Sequence, residues 1–253
     1  MYRNLRVVAI VPALNEQKAI GKVVNQLLAL GQSQNEGEEA GVAWVDRVIV
    51  CDNGSNDDTA EVAKDAGATV VKQEIGGYGI ACLTAMSVMP ACDIVLFVDG
   101  DDSCYIPQAE ALLDGVFQGG DLIIGSRVQG EIEAGALTLP QLFGNRLAVF
   151  LINYLWKVRI SDLGPFRAIR RSALDVIAMQ DKRFGWTVEM QIKAIQYGLI
   201  MNETPVNSKV RIGQSKISGT IKGVIGAGLG IIGTIAKMRV RQRHIPLANI
   251  RHS

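Results

Sequence analysis

At 253 residues, with 48% hydrophobic and 20% charged content, the chain has the composition of a packed globular protein, long enough for one large α/β domain or two small ones, and disorder is excluded. Its four cysteines, Cys51, Cys82, Cys92 and Cys104, form no C-x-x-C pair, which argues against a zinc site and for reduced thiols in a cytosolic compartment. The net charge of +1 hides an asymmetry: residues 204–253 hold nine Lys or Arg and no Asp or Glu, leaving a balance of −8 on the first 203, and such a basic tail points to an anionic partner.

The N-terminal MYRNLRVVAIVP has an apolar run that stops at Pro12 without a small-residue cleavage site, so no signal peptide is expected. Four β-branched runs follow in order, LRVVAIV (5–11), DRVIVCD (46–52), ATVVKQ (68–73) and DIVLFVD (93–99). Runs of this kind with helical patterns between them predict parallel strands covered on both faces. After the first, NEQKAIGKVVNQLLAL places Ile20, Val23, Val24, Leu27 and Leu28 on one side of a helix; residues 33–41 read as a polar loop; SNDDTAEVAKDAG opens with capping residues and ends on Gly67. GGYGIAC (76–82) lacks the G-x-G-x-x-G spacing, no P-loop motif occurs, and nothing repeats at a fixed period, which excludes a dinucleotide dehydrogenase, a P-loop enzyme and a solenoid.

In an open sheet of this type the ligand lies beyond the carboxyl ends of the strands. There the chain places Pro12, Asn15 and Glu16, then Asp52, Asn53, Gly54 and Ser55, then Asp99, Gly100 and Asp101. In VDGDDS three carboxylates crowd one strand end; they repel one another, and either a divalent cation or exposure to water would relieve them. Further on, LFGNRLAVFLINYLWKVR (142–159) predicts an apolar helix with basic ends, which suits a core or dimer helix or one lying at a lipid interface beside Tyr154 and Trp156. The run from Val224 to Ala236 is shorter than the ~20 residues needed to span a bilayer. With few aromatics to stack on bases, the tail favours a membrane surface over nucleic acid.

VPALNE (11–16), DNGSNDDT (52–59), VDGDDS (98–103), GSR (125–127), DLGPFRAIRR (162–171), GWTVEM (185–190) and GQSKISGT (213–220) occur in this order. Together they resemble a family two glycosyltransferase of the GT-A fold, over about residues 5–220, and within it the dolichyl-phosphate branch that uses nucleotide-sugars and polyprenyl monophosphates. The resemblance implies an α/β, Rossmann-like, mostly parallel central sheet with helices on both faces; the residues themselves add a C-terminal interfacial segment (221–253), basic and apolar, for a membrane interface or oligomerisation. It implies that Asp99 and Asp101 hold Mg²⁺ or Mn²⁺ against the donor diphosphate, and that Pro12, Ala13, Asn15, Glu16, Asp52, Gly54, Gly79 and Gly100 surround the nucleotide-sugar, UDP-glucose or GDP-mannose. Glu74 and Ile75 stand where related sequences often carry a basic residue.

A polyprenyl monophosphate is largely dianionic at neutral pH, since its second pKa is about 6, so its oxygen can attack without a general base but needs cations beside it. The resemblance assigns Arg127 and Arg167 to that phosphate, with Arg146, Ser215 and Lys216 as further candidates. Glu189 would face the site from a helix, orienting sugar or arginines or acting as base. The expected enzyme is therefore a metal-dependent, inverting hexosyltransferase with Asp101, Arg127 and Glu189 as its catalytic residues, peripheral on the cytoplasmic face of a membrane and able to form a homo-oligomer, with no nucleic-acid partner. Two alternatives stand beside it: a transferase for a small soluble acceptor such as a sugar acid or phosphoglycerate, and an inactive GT-A membrane scaffold.

Overall fold

The structure is a computed structural model and describes residues 1–32, 42–213 and 221–242. The expected polar loop at 33–41, Ser215, Lys216 and the last basic residues, Arg243 and Arg251, lie outside the described residues.

All four predicted strands form: β1 (Val7–Ala13), β2 (Arg47–Asp52), β3 (Thr69–Lys72) and β4 (Ile94–Phe97). They are joined by β5 (Leu122–Ser126), β6 (Arg167–Arg170) and β7 (Met201–Pro205) into one sheet of order β3-β2-β1-β4-β6-β5-β7. β1 pairs in parallel with β2 and β4, β2 with β3, and β5 with β7, whereas β6 runs antiparallel to both β4 and β5. The sheet is thus mostly parallel, as expected, with one reversed strand.

Alternation along β1 sends its residues to opposite layers. Val7, Ala9, Val11 and Ala13 pack with Ile20, Val23, Val24 and Leu27 of α1 (Ile20–Leu28), Ala63 of α2 (Thr59–Asp65) and Leu112, Leu113 and Val116 of α4 (Ala109–Phe117). Val8 and Ile10 face Ala81, Cys82 and Ala85 of α3 (Tyr78–Ser87), Leu174 and Ile177 of α6 (Arg171–Ile177), and Trp186 and Met190 of α7 (Trp186–Gln196). All four cysteines are buried and free.

Outside α7 lies a third layer made of α5 (Leu139–Trp156) and α8 (Ile221–Gln242). Ala148 and Ile152 of α5, Val188 and Ile192 of α7, and Ile235 and Met238 of α8 form its core. α5 begins on a capping box, in which the Thr138 hydroxyl accepts from the Gln141 amide and the Gln141 side chain accepts from the Thr138 amide, an arrangement that stabilises a helix start by about 1 kcal/mol. No described helix is long and apolar enough to cross a membrane.

Candidate active site

The carboxyl ends of β1, β2 and β4 meet at one edge, and the turns there are tied together by short polar links. Asn15 has a left-handed backbone (φ 52°); its amide donates to the Ser55 hydroxyl at 2.8 Å and its side-chain oxygen accepts from the Asn56 amide at 2.7 Å. The Glu16 amide donates to the Thr59 hydroxyl at 2.8 Å, and Asp52 accepts from the Ser55 amide at 3.1 Å. Gly54 takes a φ of +80°, which a side chain would strain. Pro12, Ala13, Asn15, Glu16, Asp52, Gly54, Asp99, Gly100 and Asp101 therefore belong to one constellation, with Gly100 seated 3.3 Å from the Ala13 methyl once a Cβ is imagined on it.

The acidic turn after β4 divides its three carboxylates between two tasks. Asp102, buried and left-handed (φ 59°), accepts from the ammonium groups of Lys22 at 2.7 Å and Lys209 at 2.6 Å, so it anchors the turn to α1 and to the segment after β7. Asp99 and Asp101 carry the other charge. Burial, and then the neighbouring Asp101, push the Asp99 carboxyl up to about 6. The pair is short of positive charge.

A guanidinium supplies some of it: Arg211 bonds directly to Asp101 Oδ2 and lies 3.6 Å from Glu16, while the Ile212 amide donates to the Asp101 carbonyl at 2.9 Å. Arg211 acts as a stand-in cation, so the oxygen set fits a hard divalent ion such as Mg²⁺ or Mn²⁺. Among the described residues no third His, Cys, Asp or Glu joins such a group, and a diphosphate and water would have to complete the ion's shell. Two carboxylates plus substrate phosphates is the ligand set that Mg²⁺ usually takes.

Gly79 stands at the start of α3, and its position is set by a close backbone approach. Its amide donates to the Arg183 carbonyl at 3.1 Å, and a Cβ there would come 2.1 Å from the Asp181 carbonyl. Asn53 closes the turn from the other side, donating to the carbonyls of Gln73 and Ile75 at 2.9 and 2.8 Å and accepting from the Gly77 amide at 2.7 Å. The residue between the two glycines, Tyr78, donates its hydroxyl to Asp99 Oδ1 at 2.9 Å.

Arg127, directly after β5, forms a two-pronged pair with buried Asp162: Nε to Oδ2 at 2.8 Å and Nη2 to Oδ1 at 2.7 Å. Burial alone would raise the Asp162 carboxyl, but the Arg127 bonds outweigh it and hold the group below the usual carboxylate range. Glu203 of β7 accepts from the amides of Ser161 and Asp162 and fixes the loop that presents this carboxylate.

Residues 8–177, more than half of the chain, match the sequence family Glycosyl transferase family 2. The chain belongs to that family. It is 29% identical to a dolichyl-phosphate hexose transferase of Haloferax volcanii over 90% of this chain and 92% of the relative, and 30% identical to an uncharacterized glycosyltransferase of Mycobacterium tuberculosis over 87% and 93%. Its fold is similar to that of glucosyl-3-phosphoglycerate synthase from Mycobacterium tuberculosis, crystallised with Mn²⁺, UDP and phosphoglyceric acid: the TM-score is 0.72 at 20% identity, covering 94% of this chain and 79% of that one. The fold is GT-A, and the protein is a glycosyltransferase.

Two residues expected at the site of this family-two protein, Arg167 and Glu189, are engaged elsewhere, whereas Arg146 stays a candidate. Arg167 is fully buried, and its guanidinium donates to the carbonyls of Leu163, Gly164 and Thr187, so it braces the DLGPFR loop instead of meeting an acceptor phosphate. Burial pulls its guanidinium down to about 10, a cost the carbonyl bonds offset. Glu189 does not present a free carboxylate to the site: it accepts from the amides of Gln180 and Asp181 and pairs with Lys193 at 2.8 Å. It acts through the 180–183 segment that holds Gly79. Arg146 lies on the exposed face of α5 and has no described partner. Sequence reading missed Asp162, Arg211, Lys22 and Lys209 as site residues; Asp162 and Arg211 stand in or beside quoted motifs, whereas the two lysines carry no local signal.

Proposed function

We propose that this glycosyltransferase moves a hexose from UDP-glucose or GDP-mannose to a polyprenyl or dolichyl monophosphate, with inversion, at the cytoplasmic face of a membrane. The observation that carries the donor half is the carboxylate pair Asp99–Asp101 drawing a guanidinium onto itself at the edge where Asp52 and Asn15 line the adjoining turns. A divalent ion held there would stabilise the negative charge of the departing diphosphate. Arg127, aimed by Asp162, is the cation for the acceptor phosphate. A phosphate oxygen of the acceptor forms the new bond to the anomeric carbon while the bond from that carbon to the diphosphate oxygen breaks, and the nucleoside diphosphate leaves with the electron pair. The acceptor is already dianionic, so no side chain needs to take a proton, in keeping with the engagement of Glu189 elsewhere.

Two findings favour the lipid acceptor: the similarity to a dolichyl-phosphate hexose transferase across nearly its whole length, and the outer face of α5. On that face Leu139, Phe143, Phe150 and Tyr154 are 81%, 70%, 62% and 73% exposed, with Arg146 among them and Lys157 at the end. α8 adds exposed Leu229, Ile232 and Val240 beside Lys237 and Arg241. Apolar side chains with interspersed cations suit an anionic lipid surface.

The phosphoglycerate synthase fold match supports the second reading, a small soluble acceptor. Transfer assays with labelled UDP-glucose and GDP-mannose, Mg²⁺ or Mn²⁺, and either a short polyprenyl phosphate or 3-phosphoglycerate separate the two. Label entering the organic phase supports the lipid acceptor; label confined to phosphoglycerate overturns it; no donor turnover with either acceptor or either metal favours the scaffold.

A further inference from the structure

Each carboxylate of the Asp99–Asp101 pair has one oxygen already engaged by the protein. Asp99 Oδ1 accepts from the Tyr78 hydroxyl at 2.9 Å, and Asp101 Oδ1 accepts from the Ser103 amide at 3.0 Å. Asp101 Oδ2 is the oxygen on which Arg211 sits. The arrangement leaves Asp99 Oδ2 to face a cation, and Asp101 Oδ2 would join it once a metal takes the place of Arg211; the pair is held on both sides. The Ser103 amide is part of the backbone of the turn that Asp102 anchors through Lys22 and Lys209. Tyr78 lies between Gly77 and Gly79, whose Cβ positions would come 2.3 Å from the Lys182 carbonyl and 2.1 Å from the Asp181 carbonyl, so the backbone that carries it is packed closely against the 181–183 segment.

Resting on the donor reading above, we infer that Tyr78 is a positioning residue that keeps Asp99 monodentate and so selects a small octahedral cation over calcium. Ca²⁺ takes six to eight oxygens and commonly chelates a carboxylate through both of them, whereas Mg²⁺ demands near-octahedral geometry with single oxygens and retained water. A carboxylate whose second oxygen is bonded to a phenol suits the latter and penalises the former. Removing the hydroxyl frees Oδ1, permits bidentate binding and narrows the preference.

The test is isothermal titration calorimetry of Mn²⁺ and of Ca²⁺ in the presence of UDP, and in parallel GDP, on wild-type protein, Tyr78→Phe and Tyr78→Leu, with melting temperatures measured without nucleotide. The expected result is a fall in the Mn²⁺-to-Ca²⁺ affinity ratio of about fivefold to tenfold in both variants, the scale of one ordinary intramolecular hydrogen bond, carried mainly by tighter Ca²⁺ binding. Loss of both affinities by the same factor, or an unfolded Tyr78→Phe, would make the hydroxyl merely structural and overturn the inference. An unchanged ratio would overturn it too, while leaving the donor reading intact. If the wild-type protein binds neither nucleotide in a metal-dependent way, the donor reading falls and this inference falls with it.

Discussion

Two carboxylates a residue apart are costly unless something positive lies between them, and in this protein burial first and the neighbouring Asp101 charge second push Asp99 toward its neutral form. Asp101→Asn removes one of the two charges and the atom on which Arg211 rests. The expected outcome is loss of metal-dependent donor binding by at least about tenfold, or ~1.4 kcal/mol, with an unchanged or higher melting temperature, read by calorimetry and thermal denaturation. Asp162 behaves oppositely. Its folded-state value lies below its unfolded one, so its stabilising contribution is complete above the ordinary carboxylate value of about 4 and is lost as pH falls through the folded value. Asp162→Asn should therefore cost about 2 kcal/mol at neutral pH, somewhat less than for a fully buried pair because Arg127 is partly exposed. Its denaturation midpoint should also flatten below about pH 4, where the wild type continues to fall. The carboxylates at the strand ends could be read from the sequence because strand, turn and charge are contiguous there. The partnership of Arg127 with Asp162 could not, since it spans 35 positions and an intervening helix.

Among elements, the 180–189 stretch shows how a residue far from the chemistry can matter. Glu189 fixes the amides of Gln180 and Asp181, and the carbonyls of Asp181, Lys182 and Arg183 in turn seat Gly77, Gly79 and Ile80. Gly79→Ala puts a methyl into the Asp181 carbonyl and should cost about 1–3 kcal/mol, raising donor KM because the turn carrying Tyr78 moves; circular dichroism melts and donor titration would show both. A methyl accommodated at no cost would mean that the segment yields freely. β1, β2 and β4 were apparent in the sequence as apolar runs because both of their faces are covered, and the half-buried edge strand β3 through its β-branched Thr69, Val70 and Val71. β6 is only four residues long and opens on an arginine, and β7 is a sheet edge with a single neighbour and the polar sequence MNETP, so neither carries an apolar signature. Pro205 at the end of β7 removes an amide from the open edge, a common guard against unwanted pairing.

At the scale of the whole molecule, the described part of the basic, apolar C-terminal stretch, α8, is built into the outer layer. Ile235 and Met238 of α8 are buried against α5 and α7, so deleting residues 221–253 strips a core and should lower the melting temperature as well as any lipid binding. A cleaner probe of the membrane proposal is Phe143→Ser with Phe150→Ser, both exposed and outside that core. Sedimentation with anionic vesicles at low salt should fall severalfold in the double variant while its melting temperature holds, and high salt should release the wild type, because exposed charge interactions weaken beyond a Debye length of about 8 Å. A stable oligomer indifferent to vesicles and broken by the same substitutions would assign the face to self-association.

The reversed strand β6 has a consequence for how the chain is made. β4 is apolar along its whole length and lies between β1 and β6, yet β6 leaves the ribosome some 70 positions later, after α5 has been synthesised. Throughout that interval a nascent chain carrying β1 to β5 presents one bare edge of β4, the kind of unpaired hydrophobic strand that recruits other chains. A fragment ending at residue 126 should accordingly aggregate or remain bound to chaperones during cell-free translation, and one extended past Arg170 should become soluble, as centrifugation of the two translation products would reveal.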